Sequence, residues 1–178
     1  LYALLDTIRS RCQPIHFPRF SDLQIREIVS RYEQEEKDLI PLIRIAQNDI
    51  RRVFELLQED LEQRRENIYK YLQALAKGDY PSVFRILDDI GSSRNRQHIT
   101  EFLDLLILWL RDALHANFLN EEAEYINLDY SEAIIKFARY YQQVDYDRLI
   151  SGIEKTRYRI EHNAHAALAL AALAVEMK

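Results

Sequence analysis

Few residues in this sequence have the types and spacing that covalent catalysis requires. Cys12 is the single cysteine, and His16 follows it by four residues. A nucleophilic thiol needs a neighbouring base that a third group holds in place. Pro14 and Pro18 disfavour a regular helix around this pair, and no nearby residue is placed to orient the imidazole. We therefore interpret Cys12 as a small packing residue rather than as a nucleophile.

Metal binding is the second possibility that the residue types raise. Glu161, His162 and His165 stand close together, and the two histidines are three residues apart, a spacing that places them on one face of a helix. A metal site in a helical bundle needs further carboxylate and histidine ligands from other helices, and the sequence lacks the paired Glu-x-x-His pattern that supplies them. We therefore interpret these residues as polar ends of helices and predict no metal.

Binding of nucleotides and nucleic acids depends on glycines and on positive charge. The sequence has three glycines and no phosphate-binding loop of the Gly-x-x-x-x-Gly-Lys-Ser/Thr kind, so we expect no ATP hydrolysis by this chain alone. Its 24 lysines and arginines stand against 29 acidic residues, and no segment is strongly basic. Direct DNA binding is disfavoured because phosphate neutralisation supplies much of the affinity. The eleven tyrosines are interpreted as packing at helix or subunit interfaces.

The composition predicts an all-α fold. Hydrophobic residues make up 48% of the chain, while the few glycines and four prolines leave little material for tight hairpins. The longest run of low polarity, residues 164–175, is shorter than the roughly 20 apolar residues of a membrane-spanning helix. No signal peptide is visible, and a single cysteine favours a reducing cytoplasm.

A small unit of three short helices is predicted over residues 14–60. It opens on an extended connector around the two early prolines, and a capping box at Ser21 and Gln24 then starts a helix that continues to about residue 35. Asn48 or Asp49 caps the third helix. The apolar face of the first helix is predicted to comprise Ile25, Ile28, Val29 and Tyr32.

Longer helices follow a boundary that we place near residue 60. Gly78 and Gly91 end the first two of them. The next helix has the widest apolar face in the chain and must be nearly surrounded by others; it carries Ile99, Phe102, Leu103, Leu106, Leu110, Ala113 and Leu114 at helical spacing. Residues 147–177 are predicted to be helical with a break near Asn163, which makes a bundle of roughly five helices.

The run Thr7–Gln13 resembles the Ser-Arg-Cys motif of clamp-loader subunits, a family within the AAA+ superfamily. The matching residues are Ser10, Arg11 and Cys12, with Phe17 following closely. In that family the motif ends the nucleotide-binding domain, and its arginine points across a subunit boundary at the neighbour's ATP. The resemblance implies that Arg11 is a trans-acting arginine finger. A permanently charged, planar guanidinium can meet two γ-phosphate oxygens as charge develops on them.

Three further segments match this family in the expected order. Ala46–Arg51 resembles the start of the third lid helix, with Asn48 where many relatives carry glycine, and implies a sensor-2 role for Arg51. Leu110–Leu114 resembles the Leu-Arg-Asp segment of the collar domain. Asn163–His165 resembles the closing Asn-x-Asn motif, with histidine in place of the second asparagine.

The resemblance implies three parts: the end of an absent AAA+ core (residues 1–13), a lid domain (14–60) and a collar, or oligomerisation, domain (61–178). The chain is then expected to begin inside a longer protein. The residues of the first motif, Thr7–Gln13, favour the delta-prime type. Its partners would be gamma/tau and delta subunits and, through the whole complex, the sliding clamp and primed DNA. ATP would be bound by a neighbouring subunit, and no cofactor is expected in this part.

Two alternatives remain open. The parent protein could be an ATP-hydrolysing gamma/tau-type subunit, in which case a phosphate-binding loop would lie upstream and Arg51 would matter. The chain could instead be an unrelated helical scaffold, which predicts no affinity for loader subunits.

Overall fold

The computed structural model describes residues 11, 13, 18, 20–32, 39–58, 61–92, 96–119 and 125–177. Within these residues the secondary structure is helical and contains no strand, which confirms the all-α prediction. The α-helices are α1 (Asp22–Val29), α2 (Leu39–Ile45), α3 (Ile50–Leu57), α4 (Leu61–Lys77), α5 (Tyr80–Gly91), α6 (Arg96–Leu119), α7 (Ser131–Tyr140), α8 (Tyr146–Glu161) and α9 (Ala166–Glu176). A 3-10 helix, Leu128–Tyr130, leads directly into α7.

Local capping interactions explain where several of these helices begin and end. The Ser21 hydroxyl accepts a hydrogen bond from the Gln24 amide, and the Gln24 side chain accepts one from the Ser21 amide at 2.9 Å, so the predicted capping box is confirmed. Asp49 caps α3 by accepting from the two amides that lie two and three residues further on. Gly78 follows α4 with a φ of +69°, a conformation that favours glycine.

The first helix is shorter than predicted. α1 ends at Val29, whereas periodicity extended it to about residue 35. The hydroxyl of Ser30 donates to the carbonyl three residues earlier and so competes with the helical backbone. Tyr32 consequently lies in a turn, exposed rather than on the buried face, and its ring contacts Phe54 at a centroid distance of 5.8 Å.

α6 is the central helix of the bundle, as its wide apolar face predicted. It packs against α4, α5, α7 and α8. Its most deeply buried side chains are Ile99, Leu103, Leu106, Leu110, Asp112 and Ala113. Phe102 meets the buried Tyr71 of α4 edge to face, at a centroid distance of 5.6 Å.

The last two helices fold back on each other around the predicted break. Asn163 adopts a φ of +72°, which ends α8 and turns the chain into α9. The break divides the terminal region in two, so the described residues from 61 onward form six α-helices where we predicted roughly five. α9 also packs on α5, and a Cβ at Gly91 would lie only 3.0 Å from the Ala167 Cα, so glycine permits this approach.

The predicted boundary near residue 60 stays a prediction. Residues 59 and 60 lie outside the described residues, as does most of the connector predicted before α1. The buried side chains of α1–α3 and of the bundle form one contiguous hydrophobic cluster. None of the described helices is long and apolar enough to cross a membrane.

Candidate functional site

Arg11, the residue matched to the arginine finger, lies in a turn with its side chain exposed. Ser10, Cys12 and His16 lie outside the described residues. Among the residues that the structure describes, no carboxylate pairs with Arg11. Its guanidinium therefore faces solvent, and its assigned role stays a prediction.

Arg51, the residue matched to sensor 2, begins the exposed face of α3. Its side chain is 87% exposed, and its Nε lies 3.1 Å from an oxygen of Glu55, one turn further along the helix. Such an exposed pair contributes little to stability. Arg51, Glu55, Asn48 and Phe20 line an open recess of about 750 Å³ in front of α3. The arginine is thus free to exchange Glu55 for an anionic ligand.

The turn before α3 has a backbone conformation that asparagine tolerates. Asn48 has a φ of +62°, and the preceding Gln47 has a φ of +51°. Glycine adopts this conformation without strain, and asparagine is among the side chains that tolerate it best. The side-chain NH₂ group of Asn48 also donates to the Phe20 carbonyl at 3.0 Å and to the Asp22 carboxylate at 2.6 Å. Asn48 therefore fits the turn and ties it to α1.

Charged contacts join α2 and α3, two of the three short helices, to the bundle. The buried carboxylate of Glu101 on α6 accepts from Arg52 of α3 at 3.3 Å and from Arg64 of α4. Arg44 of α2 donates to the carbonyl of Tyr125. A carboxylate shared by two guanidinium groups loses much of its Coulomb energy if either helix moves away. These contacts hold α2 and α3, and therefore Arg51, at a defined position on the bundle.

Asp112, in the segment that resembles the collar motif, has a structural role. Its fully buried carboxylate accepts hydrogen bonds from the amides of Ile126 and Asn127 at 2.9 and 2.8 Å and from the Asn127 side chain at 2.9 Å. The Asn127 side chain in turn accepts from Arg65 at 3.3 Å. This network attaches the segment after α6 to the core and to α4. The neighbouring Arg111 is exposed.

α9 presents an apolar face to solvent. Every residue from Ala166 to Val175 is alanine, leucine or valine. Leu170 and Leu173 point into the core. The opposite face exposes Leu168 (70%) and Val175 (65%), seven residues apart with Ala172 between them. α9 is thus packed against the bundle on one side and apolar on the side that faces water.

The histidines near the end of the chain do not share one helical face, contrary to what their spacing suggested. His162 ends α8, where its Nδ1 lies 2.8 Å from the Tyr158 carbonyl. His165 occupies the N-cap position of α9, and its side chain makes no capping hydrogen bond. Arg96 donates to Asn163 between them at 2.7 Å. Within the described part of the chain, no group of three potential ligands could hold a metal ion.

Sequence reasoning missed the contacts at Glu101 and the outward face of α9. Nothing local marks Glu101, because its arginine partners lie 37 and 49 residues away. The α9 face had a signal in the uninterrupted apolar run of residues 166–175, but the longer stretch that contains it was considered only as a membrane span. No model of a known protein family, no curated protein and no solved structure matches this chain.

Proposed function

We propose that this chain is the lid and collar part of a clamp-loader subunit of the delta-prime type. In this proposal it assembles with gamma/tau and delta subunits, and the whole complex places the sliding clamp on primed DNA in replication. The chain itself is an assembly module without its own ATPase activity. The observation that carries the proposal is the exposed apolar stripe of α9, which we call the α9 stripe (Leu168, Ala172 and Val175).

The α9 stripe supports assembly because it costs free energy when left in water. Burying an exposed leucine or valine contributes about 1–2 kcal/mol, so the stripe alone favours association by a few kcal/mol. It follows Asn163–His165, the segment that resembles the closing motif of the family. In that family the collar is the domain through which loader subunits associate. A neighbouring collar helix is therefore a fitting partner.

Arg11 would act on a neighbour rather than within this chain. Its exposed position, without a carboxylate partner among the described residues, agrees with a guanidinium that reaches across a subunit boundary. There it would contact the γ-phosphate of ATP bound by the adjacent subunit and stabilise the charge that develops during hydrolysis. ATP is therefore a ligand of the assembly, and this part of the chain needs no cofactor.

The gamma/tau alternative is favoured by one observation, the open recess in front of Arg51. In an ATP-hydrolysing subunit Arg51 would contact nucleotide bound to its own core. Two variants of the full-length subunit separate the readings. Arg11→Ala lowers the DNA-stimulated ATPase of the loader in either case, whereas Arg51→Ala lowers it only in the motor subunit. An unchanged ATPase with Arg11→Ala would refute the arginine-finger assignment.

Assembly is tested by mixing the chain with purified gamma/tau and delta subunits from the same bacterium. Size-exclusion chromatography with light scattering should show stoichiometric co-elution. Leu168→Glu combined with Val175→Glu should abolish it, because two charges would be buried without partners. Leu23→Glu, at an exposed leucine of α1, is the matched control and should co-elute normally. No co-elution of the folded full-length subunit would favour the unrelated scaffold.

A further inference from the structure

A second concave surface lies between α4 and α7. This aromatic groove has a volume of about 630 Å³ and is lined by six aromatic side chains: Tyr69, Trp109, Tyr130, Phe137, Tyr140 and Tyr141. It shares no residue with the α9 stripe or with the recess at Arg51. Nothing in the proposed assembly uses it.

The rings form two clusters. Trp109, Phe137, Tyr141 and Tyr140 make a continuous series with successive centroid distances of 4.9, 4.6 and 4.9 Å. Tyr69 and Tyr130 pair at 5.6 Å, and the Arg65 guanidinium lies over the Tyr130 ring at 5.0 Å. Tyr140 is 77% exposed although it belongs to the series. The groove therefore contains rings in mutual contact, and the last of them, Tyr140, is exposed to solvent.

Three polar atoms on the rings of the groove lack a hydrogen-bond partner among the described residues. The indole N–H of Trp109 is buried and has no partner among the described residues. The hydroxyls of Tyr140 and Tyr141 likewise have no partner within the described part of the chain. Burial raises the pKa of Tyr141, so its hydroxyl keeps the proton that it can donate. A ligand that presents acceptors beside compact apolar groups would satisfy these atoms and cover the rings.

The charge of the groove argues against nucleic acid. Lys136 is its only lysine, and Glu132 lies one turn earlier on α7 with the opposite charge. Asp129 is already paired with Arg65 at 2.5 Å. A site that stacks bases usually also carries excess cations to follow the phosphates. The near-neutral rim fits an uncharged ligand instead.

We propose that the aromatic groove binds a proline-rich peptide in the polyproline II conformation. Such a strand has no internal hydrogen bonds, and its prolines lack N–H groups, so it offers unpaired carbonyl acceptors beside compact apolar pyrrolidine rings. A helical ligand would not need the donors, because its carbonyls are already bonded. α7 is about 15 Å long, which corresponds to about five residues of polyproline II.

Trp109, the only tryptophan of the chain, reports on the groove directly. The full chain is titrated with a capped polyproline peptide of about ten residues, and the Trp109 emission is followed. We expect a saturable change. Tyr140→Ala should weaken binding about tenfold, and Tyr140→Phe, which removes only the donor, about threefold. Tyr158→Ala, at an exposed tyrosine of α8, is the control and should bind as the unaltered chain does.

Three results would overturn the proposal. One is the absence of a saturable change in emission while circular dichroism shows that the chain is folded. Another is equal affinity of the Tyr140→Ala and Tyr158→Ala variants. The third is no binding of the polyproline peptide together with binding of an apolar helical peptide or single-stranded oligothymidylate that Tyr140→Ala weakens.

Discussion

Asparagine at position 112 tests whether the buried carboxylate holds the segment after α6 in place. The two oxygens of Asp112 accept three hydrogen bonds: one takes the Ile126 amide, and the other takes two donors of Asn127. Asp112→Asn keeps the shape but replaces one oxygen with an NH₂ group. In its better orientation the new side chain keeps the two bonds to Asn127 and turns a donor toward the Ile126 amide.

The magnitude follows from those contacts. One hydrogen bond to a charged acceptor is lost, at about 1.5–3 kcal/mol, and the other two become ordinary neutral bonds of about 1 kcal/mol each. Relief from burying a charge offsets part of this loss. We expect a net decrease of about 2 kcal/mol in the free energy of unfolding and a fall in Tm of about 4–8 °C.

Urea denaturation followed by circular dichroism measures this decrease, with Asp104→Asn as the control on the same helix. Asp104 is half-exposed and pairs with Arg157 at 2.6 Å, so its replacement should cost less than about 1 kcal/mol. Amide hydrogen exchange at Ile126 and Asn127 should accelerate only in Asp112→Asn. If both variants unfold at the same urea concentration and exchange alike, the carboxylate does not anchor this segment.

Three further predictions concern single positions. Gly91→Ala should lower the free energy of unfolding by about 1–3 kcal/mol because its methyl meets the Ala167 backbone. Gly152→Ala, whose methyl would make only ordinary contacts with α9, should raise it by about 0.5–1 kcal/mol. If urea unfolding shows that both variants change stability in the same direction, the packing described here is wrong. His165→Asn should add about 0.5–1 kcal/mol by capping α9, and an unchanged Tm would show that the new side chain does not cap. Hydrogen bonds from Ser82 lower the pKa of Asp79, so its stabilising contribution is present above the ordinary aspartate pKa of about 4 and is lost as pH falls through the lowered value. Asp79→Asn should therefore lose less stability than the unaltered chain between about pH 6 and about pH 2, and parallel Tm curves would argue against this linkage.

Some of the fold could be predicted from the sequence because the interactions that decide it are local. The capping box at Ser21, the left-handed residue Gly78 and the break at Asn163 each involve groups within a few residues of one another. The apolar face of α6 could also be predicted, since helical periodicity brings residues three and four apart onto one face. The predicted end of α1 was wrong. The apolar spacing continues to Tyr32, but a local hydrogen bond of the Ser30 side chain competes with the helical backbone.

The surfaces that could carry function depended on the tertiary structure. The sequence by itself determined that residues 166–175 are an apolar helix, but where every position is apolar, periodicity cannot say which face is buried. Only packing against α5 and α8 left Leu168 and Val175 outside. The aromatic groove likewise joins Tyr69 of α4 to Tyr140 of α7. Contacts between side chains this far apart follow from how helices pack, and no local pattern encodes them.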